Sequence, residues 1–159
     1  MPTDSLLLTW ETHNRILLYL LEAIPEAALS GTASNGGRSV GQMFAHLHNV
    51  RLMWLEAADP STATRLEKVP ARKKEGYMLA QLRAALETSG AAMARLFEAG
   101  AVAGKIKNVS MPPGVFYSYS VAHEWYHIGE IGIALAQSGY PLDEKTAYAI
   151  WQWNTFTPG

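Results

Sequence analysis

His123 and His127 stand four residues apart in the run His123-Glu124-Trp125-Tyr126-His127. On a helix that spacing stacks the two imidazoles one turn apart on one face, where they can share a metal ion. Two ligands make a weak site, so a third must project inward from a different helix. His46 and His48 are the choices, and they point about 200° apart around a helix, so only one can face the ion. His46 follows Met43 by three residues and precedes Val50 by four, at the border of that segment's apolar stripe, whereas His48 lies farther from its centre, near Leu55. His46 is therefore the preferred partner and His48 the alternative. His13, between Trp10 and Leu17, reads as a satisfied core histidine.

Three carboxylates bear on the same chemistry. Taken literally, the run beginning at His123 is H-E-x-x-H, in which the glutamate is the general base of zinc metalloproteases. Glu124, however, points about 100° away from His123 on a helix, which favours a solvated carboxylate or one that orients a neighbour. A protease would also take a third ligand, for which Glu144 is available, and a strand on which to lay a peptide; no segment shows sustained period-two alternation. Glu130 lies three residues from His127 and seven from His123 and so shares their face. It is expected to contact a ligand histidine, with a fourth ligand or a proton acceptor as alternatives. A di-metal bundle would need a second Glu-x-x-His pair on another helix, and none is present.

The elements that must position these groups are helices. Leu7, Trp10, Asn14, Leu17, Leu21 and Ile24 mark one face of a first helix that stops at Pro25, and 28–38 is loop by composition. Ser39 to Gln42 forms a capping box that opens a second helix along Val40, Met43, Phe44, Leu47, Val50 and Trp54, ending at Asp59-Pro60. A connection of more than ten residues, 58–70, permits a crossover rather than a hairpin. The third helix carries Leu79, Leu82, Leu86, Met93 and Phe97, with Gly100 as its C-cap. The fourth runs from Phe116 to Ser138, stopped by Gly139 and Pro141. Asp143 caps a short fifth helix through Ala147, Ile150, Trp151 and Trp153 that seals one end of the core. The loop from Lys105 to Tyr117 leads into the fourth helix and is expected to border the site's mouth. There Lys105, Lys107 and Tyr117 would hold a carboxylate, unless the lysines are merely solvated.

Composition narrows the classes. Lys and Arg number 13 against 14 Asp and Glu, with no run of like charge, so nothing advertises nucleic-acid or membrane-surface binding. The absence of cysteine removes disulfides, thiolate ligands and a cysteine nucleophile together. The start, Met1 to Ser5, lacks a basic leader pattern, and apolar runs such as Ile16–Leu21 are too short to span a bilayer, which leads us to expect a cytoplasmic chain. A 159-residue chain with 48% apolar content is expected to form one domain, 1–159. The five Trp and seven Tyr suit a homodimer interface and a core equally well.

Ser39-Val40-Gly41-Gln42-Met43-Phe44-Ala45-His46-Leu47, taken with His123-Glu124-Trp125-Tyr126-His127-Ile128-Gly129-Glu130-Ile131, resembles the DinB-like (DinB/YfiT) superfamily over nearly the whole chain. The resemblance implies an all-α four-helix bundle with a long crossover between the second and third helices, plus a short C-terminal helix. It makes His46, His123 and His127 the ligands of one divalent ion, zinc or nickel, with positions left open for water or a small-molecule substrate. The implied activity is that of a metal-dependent hydrolase, or of a transferase using an exogenous low-molecular-weight thiol. A non-enzymatic helical interaction or stress-associated module, in which any metal only staples the bundle, and an HExxH zinc protease are the alternatives.

Overall fold

Ser39 opens the helix that carries His46: its hydroxyl accepts from the Gln42 N–H at 3.2 Å and its own N–H donates to Gln42 Oε1 at 2.8 Å, the reciprocal capping box read from the sequence. The computed structural model describes residues 3–159; Met1 and Pro2, part of the start considered above, lie outside the described residues. The elements in order are α1 (Thr3–Glu22), α2 (Val40–Ala58), α3 (Pro60–Ala63), α4 (Leu79–Ala103), α5 (Pro113–Gln137), α6 (Glu144–Ala149) and α7 (Trp153–Phe156), with a 3₁₀ turn at Glu26–Ser30. There is no strand among the described residues. No described helix is long and apolar enough to cross a membrane.

The four long helices form a bundle whose directions follow from the contacts at their ends. Arg83, near the start of α4, pairs with Glu22 at the end of α1, while Trp10 near the start of α1 donates to Gly90 O and lies against Phe97 farther along α4. These two helices are therefore antiparallel. Tyr77, just before α4, lies against Gly41 at the start of α2, and Asn108, just after α4, donates to Ala57 O at the end of α2, so α2 and α4 run parallel. Parallel neighbours require the intervening chain to travel back the length of a helix. Residues 59–78 do this, held on α2 by Asn49, which exchanges hydrogen bonds with the Val69 backbone at 2.7 and 3.1 Å. The long crossover expected from the sequence is present.

Three boundaries differ from expectation. Gly100 is not a C-cap: α4 continues to Ala103 and Gly104 ends it in the left-handed region at φ 71°. Gly100 is instead a point of close approach, because a Cβ there would meet Ile106 Cγ1 at 2.4 Å. The 28–38 loop begins inside the 3₁₀ turn, which buries Ala28 and Leu29. The expected fifth helix is two short ones, because Trp151 and Gln152 donate to Tyr148 O and Ala149 O, three-residue bonds that tighten and terminate α6. This tail does not cap an end of the core. It lies along α1, with Phe156 against Tyr19, and on α5, where Trp125 stacks on Trp151 and Trp153.

A charged layer divides the core. One apolar cluster contains Leu17, Leu47, Leu86 and Ile128; the other contains Trp10, Leu55, Ala92 and Tyr117. Between them, on the same level of all four long helices, lie His13, Arg51, Ser89 and Glu124, all buried. The Glu124 carboxylate takes Arg51 Nε at 2.7 Å and Arg51 Nη2 at 2.8 Å in a bidentate pair. It also accepts from His13 Nε2 at 2.6 Å. Arg51 Nη1 donates onward to Leu86 O at 3.0 Å and to Ser89 Oγ at 3.4 Å, and the guanidinium lies 5.0 Å from the centre of the Trp10 ring. Burial pushes the Glu124 carboxyl up, but the Arg51 charge and hydrogen bonds, with His13, outweigh it and bring it down from 4.5 to about 2.

Arg51→Met should lower stability in urea unfolding at neutral pH by about 3–5 kcal/mol, because it strands a buried carboxylate. Adding Glu124→Leu should restore part of the loss, whereas strictly additive losses would contradict a coupled pair. The depressed carboxyl contributes stability that is complete above about pH 4.5 and declines as pH falls toward 2. In the paired variant, that part of the acid sensitivity should be absent from the urea midpoints.

Candidate metal centre

Turning Glu124 into the core places its neighbour His123, and His127 one turn later, on the side of α5 that faces α2. There they meet His46. Ring centres are separated by 5.5 Å for His46–His123 and by 4.7 Å for both His46–His127 and His123–His127. One ring nitrogen from each lies within 4.8 Å of the other two. Nitrogens sharing a zinc at about 2.0–2.1 Å can be at most roughly 4 Å apart, so small side-chain rotations bring the set into range. The three residues can hold a metal ion, and among the described residues no other group of three His, Asp or Glu side chains gathers in this way.

The surroundings favour the neutral form of His46 and His123 and fix how the His127 ring is turned. His127 is buried, and its Nδ1–H donates to Glu130 Oε2 at 2.6 Å. That bond fixes the tautomer and leaves the Nε2 lone pair free. Burial lowers His46 from 6.5 to about 4, assisted by the positive charge of Arg38 and by His127 and His123, with Glu130 opposing. Burial likewise lowers His123, with His127 and Arg38 adding to it and Glu124 opposing. Both rings are thus uncharged near neutral pH, the form in which imidazole binds a metal. His46 and His123 are half-buried, so the group is open on one side. Tyr119 stacks on His123 with ring centres 6.1 Å apart and planes at 22°.

The other residues singled out by sequence are elsewhere. His48 is buried and donates from Nε2 to Glu67 O at 2.8 Å, tying the crossover to α2, and it is not part of the histidine group. Glu124 is not solvated, and with both oxygens engaged it is no free base. His13 is a core histidine, as expected, bonded to that carboxylate. Glu144 is the exposed first residue of α6 and has no place in the histidine group.

Lys105, Lys107 and Tyr117 do not border the triad. Asn108 pins their loop to the C-terminal end of α2, eleven residues from His46, or roughly 16 Å along a helix. Lys105 and Lys107 line a cleft there with Asp59 and Arg95. Tyr117 is core, against Phe97, and burial pushes its hydroxyl up to about 12. His123 and His127 lie in mid-helix, so the loop that feeds α5 is too far away to wall the site.

A cleft of about 310 Å³ lies between the 33–38 loop and α5, with Arg38, Met43, Glu130 and Ile133 on its walls and none of the three histidines among its lining residues. Glu130 belongs to both the cleft and the His127 hydrogen bond. Sequence reasoning missed Arg38 and Tyr119. Tyr119 lies four residues before His123 and could have been read from helical spacing; Arg38 lies in irregular chain and carries no periodic signal.

The DinB family model matches residues 1–154, and the chain belongs to the DinB family. No curated protein and no solved structure matches it.

In the metal-free protein, NMR titration should find His46 still neutral at pH 5.5 and charging only near pH 4. Arg38→Ala should move that midpoint upward by removing a nearby positive charge. A His46 midpoint near 6.5 in both proteins would contradict the geometry described.

Proposed function

We propose that this DinB-family chain holds one divalent cation, zinc or nickel, through His46, His123 and His127. On this reading it works as a metal-dependent hydrolase, or as a transferase using a low-molecular-weight thiol, on a small-molecule substrate. The observation that carries the reading is the convergence of three imidazoles from two helices, one of them oriented by a carboxylate, with one side left open. A structural zinc site is normally closed by four protein ligands, whereas three with an open position is the catalytic pattern. When bound, the cation would supply Lewis acidity that eases deprotonation of a water or thiol at neutral pH.

The chain's own groups divide the remaining work. The three imidazoles present lone pairs and, being neutral, leave the ion's positive charge undiminished. Glu130 accepts the His127 Nδ1–H, so that in the neutral ring Nε2 is the nitrogen with the lone pair. The cleft beside it has the capacity for a small molecule rather than a folded partner. A thiol must arrive as a co-substrate, because the chain has no cysteine. Protease action finds no support: Glu124 is locked between Arg51 and His13, and the described residues contain no strand on which to lay a peptide.

Elemental analysis of tag-free protein, prepared without chelator and then incubated with zinc or nickel, should find close to one ion per chain. His46→Ala and His123→Ala should lose it and His48→Ala should keep it. Glu130→Gln should weaken metal affinity by about 10–100-fold in a chelator competition. Negligible metal in the wild-type chain, or loss on His48→Ala alone, would overturn the reading. A loaded chain should then accelerate hydrolysis or thiol transfer in a substrate screen, and His123→Ala should abolish that rate.

A further inference from the structure

The cleft beside Glu130 has two unlike walls. Met43, Ile133 and Ala134 supply an apolar side, while Asn35, Gly36, Gly37 and Arg38 supply a polar rim. Its loop is built rather than slack. Ser34 N–H donates to Gln137 Oε1 on α5 at 2.7 Å, Gly36 N–H donates to Ala33 O at 2.9 Å, and Val40 N–H donates to Gly31 O at 2.9 Å. Gly36 and Gly37 take φ of 81° and 97°, conformations that exclude most side chains, and so carry the chain around to Arg38.

Arg38 is exposed and, among the described residues, enters no ion pair or side-chain hydrogen bond. Its guanidinium is nevertheless close enough to the triad for its charge to be felt at both His46 and His123. The one carboxylate facing it across the cleft, Glu130, is engaged by His127. An unpaired planar cation at the rim of a half-apolar cleft fits a carboxylate bidentately.

We infer that this cleft is a substrate subsite selective for small carboxylates with an aliphatic stem, with Arg38 pairing the carboxylate head and Met43 and Ile133 covering the stem. The carboxylate head then lies on the side of the cleft nearer the histidines, at which the Arg38 charge is felt. That the cleft is a substrate subsite rests on the metal-centre reading; the Arg38 contact does not. Arg38 thus takes the part expected of Lys105, Lys107 and Tyr117 from their loop's place before the histidine helix.

Hexanoate and its neutral counterpart hexanamide test this, titrated by amide NMR into metal-free wild-type and Arg38→Ala protein, and again after zinc loading with metal content measured in each. Hexanoate should shift the amides of residues 33–38 and 133–134. Arg38→Ala should weaken hexanoate at least about tenfold and leave hexanamide unchanged. Equal hexanoate affinity in the two proteins, equal affinity for acid and amide, no binding to the wild type, or shifts confined to other surfaces would each overturn the inference. Binding seen only after zinc loading and indifferent to Arg38 would also overturn it, since the ion alone would then hold the acid. A chain that binds hexanoate through Arg38 but takes up no metal would keep this inference and remove the reading above. Metal uptake without Arg38-dependent binding would do the reverse.

Discussion

One buried carboxylate ties the architecture together. Glu124 on α5 receives Arg51 from α2 and His13 from α1, and Arg51 passes the connection to the α4 backbone at Leu86. Removing such charges from water costs several kcal/mol per ion, so the cluster adds little net stability over an apolar layer. Its effect is on register. An axial shift of α5 by a single residue would rotate its side chains by about 100° and leave a carboxylate facing hydrocarbon without partners. Apolar clusters above and below tolerate some sliding and repacking. The bidentate pair, with fixed directions at both ends, tolerates much less.

That constraint also sets the histidines. With Glu124 held inward, His123 and His127 must face the α2 groove. With Arg51 aimed at Glu124, His46, five residues earlier on α2, comes round to meet them. The division of labour explains why a five-residue run matching a protease motif behaves differently here: its glutamate is spent on packing geometry. The carboxylate that attends the triad is Glu130, whose contact with His127 is local to one helix turn. Around the triad, burial keeps His46 and His123 neutral, Arg38 reinforces this at both, and Glu130 orients the His127 ring.

Much of this was readable in the chain, for definite reasons. The four-residue step from His123 to His127 and the capping box at Ser39 are local, and local periodicity survives folding. The choice of His46 over His48 rested on one apolar stripe, and the structure supplies the missing cause: His48 is claimed by a backbone carbonyl of the crossover. Helical spacing leaves Glu124 either solvated or orienting a neighbour, and its burial is not legible because its partners lie 73 and 111 positions away, beyond any pattern in the helix itself. Gly100 looked like a helix stop when it is a contact point for Ile106. Lys105 and Lys107 looked close to the site because they are close in sequence to its helix, although α5 carries its histidines some ten residues beyond its start. Arg38 gave no signal, since only the path of a glycine turn brings it to the cleft.

The most direct test is crystallographic: an anomalous difference map at the zinc edge from crystals of the zinc-loaded protein. The account predicts one peak about 2.0–2.1 Å from a ring nitrogen of each of His46, His123 and His127, with Glu124 still clasped by Arg51 and His13. No peak at these histidines, or a peak with Glu124 swung out as a ligand and Arg51 released, would contradict it.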